Sequence, residues 1–176
     1  TAREAGARER GIAEGYARTG GAGIRGAGWG GAVRRGGSEY AAGGVERMRR
    51  EAAETHGGLF VEGRGTIVRP AYAGVTCSLL HGAMPDALVM THSAGREAIH
   101  GYEDVAIPPI EEYVDLYESL AAPVAPAAVA AGTLDTRSFD DDEAARAAVE
   151  EYAAAIDAPA TDPIRFGADE ILDALL

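Results

Sequence analysis

Three short apolar runs constrain the architecture of this chain, because each stops abruptly at polar residues and a helical pattern separates it from the next. Leu59-Phe60-Val61 ends in Glu62-Gly63, Ala87-Leu88-Val89-Met90 ends in Thr91-His92, and Ala127 to Ala131 ends in Gly132-Thr133. Runs this short and uniformly apolar read as strands buried on both faces. Between them, Pro108-Pro109 opens a helix with Ile110, Val114, Tyr117 and Ala121 on one face. Asp140 with Glu143 resembles a capping box opening a second helix, whose buried stripe is Ala145, Val149, Tyr152 and Ile156. A third runs near Ala168 to Leu176, a weaker stripe comprises Val45, Met48 and Ala52, and Gly11 to Ala17 reads as a poor strand. Strands alternating with helices imply an α/β fold, with a mainly parallel sheet, right-handed crossovers and helices on both faces. Such sheets bind ligands at the carboxyl ends of their strands. That rule singles out Glu62-Gly63-Arg64-Gly65, Thr91-His92 and Thr133 to Thr136.

Composition narrows the chemistry. With 28 acidic and 16 basic residues, the 176-residue chain carries a formal charge of −12, which opposes generic nucleic-acid binding. All the basic residues are Arg, and Lys, Asn and Gln are absent. A Schiff-base lysine, an amide oxyanion donor and a P-loop lysine are therefore excluded within these residues. A hydrated acidic surface of this kind suits concentrated salt, so a salt-rich, halophilic cytoplasm is expected. Cys77 is the sole cysteine, which excludes an internal disulfide and a cysteine-based zinc cluster. Without an 18-residue apolar run or a signal pattern, the expected location is cytoplasmic with no membrane partner.

The charge is unevenly spread. Residues 1–58 hold 10 Arg, 7 Glu, 16 of the 24 glycines and no Leu, whereas residues 59–176 hold 6 Arg and 21 acids. The expected organisation is one domain, with a Gly/Arg-rich, poorly ordered part over 1–58 and the α/β core over 59–176. Thr1-Ala-Arg-Glu-Ala reads as the middle of a helix, which leaves open two readings: a chain that begins inside a longer protein, or an imperfect sequence over this portion.

Several residues fit chemistry by type and position. Gly21 to Gly26 and Gly26 to Gly31 each match G-x-G-x-x-G, but in so glycine-rich a stretch the pattern arises cheaply. Glu62 stands at a strand tip before two glycines that would let a ligand approach the backbone. Of the four histidines, none forms H-x-x-x-H, and no zinc site is expected. His92 ends an apolar run and is followed by Ser93-Ala94-Gly95-Arg96, so an imidazole and a guanidinium can converge on an anionic substrate. His100 shares a face with Arg96 only if that segment is helical. Arg96 and Arg165 sit in Gly/Pro-bounded turns and are the favoured anion clamps. Ser78 lacks a nucleophile elbow and Cys77 has no evident base, which disfavours covalent catalysis. The acidic run Asp140 to Glu143 is explained by a helix N-terminus.

Longer blocks carry a family resemblance. Phe60-Val61-Glu62-Gly63-Arg64-Gly65, Arg69-Pro70-Ala71-Tyr72-Ala73-Gly74-Val75-Thr76, Leu80-His81-Gly82 and Pro85-Asp86-Ala87 resemble ordered motifs of the DUF1611 family. His92, Gly95-Arg96, Ile99 and Gly101 resemble its H-E-P-G-R block, and Asp162-Pro163-Ile164-Arg165 its D-P-x-R. The upstream match is thinner, over Thr19-Gly20, Gly23-Ile24 and Gly28-Trp29-Gly30. The sequence departs from the family pattern at Arg64, Arg69, Ser93 and Ala94, where Gln, His, Glu and Pro are expected.

The resemblance implies the later part of a P-loop-type, Rossmann-like three-layer domain, with its first strand and phosphate loop preceding Thr1. It also implies the family's described activity, transfer of an acetyl group from acetyl-CoA to the amine of D-glutamate. In that chemistry Glu62 or His92 is the expected base, and Arg96 and Arg165 the carboxylate clamps. Thr19, Gly20, Gly63 and Gly65 become ligand-facing backbone, with His81, Tyr72 and His100 as second choices for substrate binding. A homo-oligomer is expected. Two competing readings are an ATP- and magnesium-dependent enzyme similar to dethiobiotin synthetases, with Glu62 near the metal, and an inactive fragment that serves assembly.

Overall fold

In a computed structural model, residues 14–17 and 40–176 are described, and three of the four strand pairings among them are parallel. Thr19, Gly20 and the glycine motifs between Gly21 and Gly31 lie outside the described residues. The described residues divide into two compact units, one containing residues up to 85 together with 123–125, the other containing 86–122 and 126–176.

In the first unit, strand β1 (Glu14–Ala17) pairs in parallel with β2 (Gly58–Val61), so the weak upstream strand signal is realised. Helix α1 (Ala41–Ala53) buries Val45, Met48 and Ala52, the stripe that its spacing predicts, together with Ala41. Helix α2 (Ala73–Ala83) contributes Leu79 and Ala83 to a core shared with Val45, against which Val61 and Val75 pack. Periodicity alone does not disclose α2, because apolar residues surround it rather than line one face. It is pinned instead by Thr76, whose buried hydroxyl donates to the Arg64 carbonyl at 2.8 Å. Gly82 lets α1 approach closely, since a Cβ there would collide with the backbone of Ala42.

In the second unit, β3 (Leu88–Ser93), β6 (Val129–Asp135) and β7 (Ala160–Thr161) form a parallel sheet in the order β3-β6-β7. The register sets Thr91 against Thr133, His92 against Leu134 and Ser93 against Asp135, with Thr161 opposite Thr133. Both predicted strands are therefore displaced: β3 runs on through His92, and β6 starts at Val129 and continues to Asp135. Ladder bonds and a 2.9 Å bond from Thr133 Oγ1 to Thr91 Oγ1 satisfy polar groups that a composition reading assigns to loops.

Helices flank this sheet. Helix α3 (Ile110–Ala121) begins directly after Pro109, and α4 (Asp142–Ile156) buries Ala145, Val149, Tyr152 and Ile156, as their patterns predict. The cap of α4 is Asp141, not Asp140: its Oδ1 accepts from the Ala144 N–H at 2.9 Å, with no reciprocal glutamate at that position. Helix α5 (Asp169–Leu175) packs on β6 and β7 through the fully buried Ile171 and Leu172. An antiparallel hairpin of β4 (Ala98–Ile99) and β5 (Tyr102–Ala106) occupies the segment where a shared helical face for Arg96 and His100 was conceivable. No described helix is long and apolar enough to cross a membrane.

Candidate functional site

The carboxyl ends of β3 and β6 lie side by side, as parallel pairing requires, and gather charged groups. After Ser93, a turn closed by the Arg96 N–H donating to the Ser93 carbonyl at 3.3 Å uses Gly95 at φ +72°. That turn brings Arg96 back towards the strand tip, close enough to act electrostatically on both His92 and Asp135. Burial, and then the Arg96 charge, push the His92 pKa below its ordinary value, so the imidazole is neutral at pH 7. The His92 ring stacks on Tyr152 of α4 with centroids 6.0 Å apart and planes 22° from parallel. Opposite Ser93, Asp135 accepts from Arg137 Nε at 2.9 and 3.0 Å and from the Arg137 backbone N–H at 3.1 Å. The Arg137 side-chain bond is the main cause that lowers the Asp135 pKa.

The end of β7 is organised differently. Asp162 is 3% exposed, and one of its oxygens accepts from Thr136 Oγ1 at 2.6 Å and the Thr136 N–H at 3.0 Å. Its other oxygen accepts from the backbone N–H groups of Ile164 and Arg165 at 2.9 and 3.2 Å. Burial opposes the charge, but these hydrogen bonds outweigh it and hold the carboxyl below the usual range. Arg165 donates to the carbonyls of Phe139 at 2.8 Å and Asp141 at 3.0 Å, and lies 3.5 Å from Asp142 Oδ1. The Asp162-to-Arg165 block thus ties the end of β7 to the loop that leads from β6 into α4.

In the other unit, Glu62 is exposed immediately after β2, and Gly63 has open space where a side chain would stand. Gly65 is sterically required: its φ is +64°, and a Cβ there would come within 2.7 Å of Tyr72 Cβ. The Arg69 guanidinium sits 4.9 Å from the Tyr72 ring centre, which gives a physical role to a residue that departs from the family pattern. His81 occupies the last turn of α2, and its Nε2 is 3.9 Å from Cys77 Sγ. Cys77 therefore has an imidazole neighbour that the sequence reading lacked, because the four-residue spacing matters only once the helix is known.

Among the predicted site residues, His92 and Arg96 are brought together at one strand tip. Arg165 is turned towards backbone carbonyls, and His100 lies exposed in the turn between β4 and β5. Glu62, Gly63, Gly65, Tyr72 and His81 belong to the first unit. Sequence reasoning singled out Thr133 to Thr136 without giving Asp135 a role, and it missed Arg137 and the contact of Tyr152 with His92. The flanking of Thr136 by an acid and an arginine, just after an apolar run, was a usable signal for Asp135 and Arg137. Among the described residues, no group of three His, Cys, Asp or Glu side chains is gathered to hold a metal ion.

Residues 1–172 match the family described as "Domain of unknown function (DUF1611_C) P-loop domain". A protein of Tritonibacter scottomollicae named D-glutamate N-acetyltransferase is 32% identical over 139 residues, which cover 78% of this chain and 41% of that protein. One of the same name from a Pseudoalteromonas species is 32% identical over 135 residues, covering 77% of this chain and 40% of that protein. The chain thus spans about two fifths of the length of the curated relatives it matches. A crystal structure of a DUF1611 family protein from Anabaena variabilis superposes with a TM-score of 0.92 at 32% identity, covering 99% of this chain and 51% of that one.

Proposed function

Because the chain belongs to the DUF1611 family, we propose that the protein it comes from transfers an acetyl group from acetyl-CoA to the amine of D-glutamate. The observation that carries this reading is a neutral, half-buried imidazole beside a cation at a strand tip, within the region matched to N-acetyltransferases. Acetyl transfer to an amino acid needs a base that is unprotonated near pH 7 and a cation for the substrate carboxylate. His92 takes a proton from the substrate ammonium, the freed amine attacks the thioester carbonyl, and the carbon–sulfur bond breaks as the nitrogen's second proton passes to the departing CoA thiolate. Arg96 pairs with a glutamate carboxylate. In the competing assignment Glu62 is the base, and the backbone of Gly63 and Gly65, in the same unit, supplies the donors for the developing oxyanion.

A mass-spectrometric assay of the full-length protein tests the reading, offering acetyl-CoA with D- or L-glutamate, with and without ATP and magnesium. Acetylated D-glutamate formed without ATP is the expected product, and His92→Ala is expected to lower kcat roughly 100-fold to 10,000-fold. Wild-type turnover by a His92→Ala, Glu62→Ala double variant would sink the base assignment. The P-loop description of the family favours a second reading, a nucleotide-dependent enzyme. ATP consumption without any acetylated product would select it.

A further inference from the structure

Stacking against Tyr152 is the one aromatic contact His92 makes among the described residues, and the sequence makes room for it deliberately. Gly132 on β6 sits two residues before Leu134, the register partner of His92, and therefore on the same face of the sheet. A Cβ at Gly132 would come within 2.7 Å of Tyr152 Cε1 and would also collide with Ile156 Cδ1. The absent side chain is the space in which the edge of the phenol ring lies. Tyr152 is 4% exposed, and its hydroxyl has no hydrogen-bond partner among the described residues. A buried hydroxyl without a partner is a cost to the fold, so the ring rather than the oxygen is what this position uses.

We propose that Tyr152 is a positioning residue for His92: its ring, seated over Gly132, sets the orientation of the imidazole and shields one of its faces from water. The inference rests on the reading of His92 as the base in acetyl transfer. Among the described residues, three side chains bear on His92. Arg96 comes from the following turn, Tyr152 from α4 with Tyr113 of α3 electrostatically coupled behind it, and the register partner Leu134 is uncharged. Burial keeps the Tyr152 phenol protonated, so its ring adds shielding without charge. Shielding lowers the imidazole pKa in the same direction as Arg96 does, and a locked ring presents its lone pair at a fixed angle.

The test compares Tyr152→Phe with Tyr152→Leu in the full-length protein, following the His92 ring protons by NMR titration and the pH profile of acetylation. The His92 signal is assigned by its loss in His92→Gln. Tyr152→Phe keeps the ring, so its His92 titration and kcat should match the parent, while its thermal midpoint should stay equal or rise because an unpartnered buried hydroxyl is removed. Tyr152→Leu should move the His92 titration upward towards 6.5 and lower kcat roughly 10-fold to 100-fold with little change in KM. Gly132→Ala, which displaces the ring while leaving both side chains chemically intact, should move the titration the same way. A titration unchanged in Tyr152→Leu, or lost activity in Tyr152→Phe, overturns the proposal. If no acetylation is found but the titration moves in the leucine variant and not in the phenylalanine one, positioning stands and the reaction assignment fails.

Discussion

Two strand ends in the same sheet each carry an arginine within a recognisable motif, and they use it in opposite ways. At the tip of β7, Asp162 accepts four hydrogen bonds, and Arg165 directs its guanidinium at the Phe139 and Asp141 carbonyls. At the tip of β3, Arg96 is exposed and acts on His92 and Asp135 through its charge. Both blocks look equally functional as strings of residues. What separates them is hydrogen-bond accounting: a cation with its donors directed at backbone oxygens holds the fold, whereas the one exposed beside the imidazole is the one that the proposed function assigns to the substrate carboxylate.

The comparison can be broken most severely at Asp162. Asp162→Ala should destabilise the chain by on the order of 3 kcal/mol, because four donors, two of them on the buried Thr136, lose a charged acceptor. Chemical denaturation checks this, and a loss well under about 1 kcal/mol would show that water replaces the carboxylate freely. Exchanging roles between the two arginines gives the next effect. Arg96→Ala should raise KM for glutamate roughly 10-fold to 100-fold with thermal stability unchanged. Arg165→Ala should instead cost about 1 to 2 kcal/mol of stability with KM nearly intact. A KM effect from Arg165 and none from Arg96 would reverse the assignment.

The smallest effects lie in pH dependence, and the two strand tips differ in the window. The folded pKa of His92 is below 6.5, so the unfolded chain binds more protons than the folded one as pH falls past that value, and stability declines there. Asp162 is also held below its ordinary value of 3.8. Its contribution is complete above that value and is lost only as pH falls through the lower folded pKa. Denaturation midpoints measured from pH 8 to 3 should show the His92 loss first, and His92→Gln should remove it.

Much of the fold was legible in residue order. The stripes Ala145-Val149-Tyr152-Ile156 and Val45-Met48-Ala52 are buried as their spacing predicts, and Pro109 precedes α3. Helix α2 was not, since its buried Thr76 and Gly82 are answered by Arg64 and Ala42, residues distant in sequence. The strand ends also exceeded their apolar runs, because Thr91 and Thr133 satisfy each other across the sheet. Within the candidate site, His92 and Arg96 were legible from a strand end followed by a glycine turn, and Asp135 fell inside a strand end the sequence also singled out, whereas its place opposite Ser93 came from the pairing of β3 with β6.

Residue order alone determined the α/β class, the positions of most helices and the strand tips where chemistry could gather, because these depend on periodicity and on local caps and turns. Tertiary structure alone decided which polar residues are committed to the fold and which remain available. That distinction depends on partners distant in sequence: Asp162 with Thr136, Arg165 with Phe139, and Tyr152 seated over Gly132 against His92. Desolvation and hydrogen-bond satisfaction are properties of the packed neighbourhood, and no spacing rule within one segment contains them.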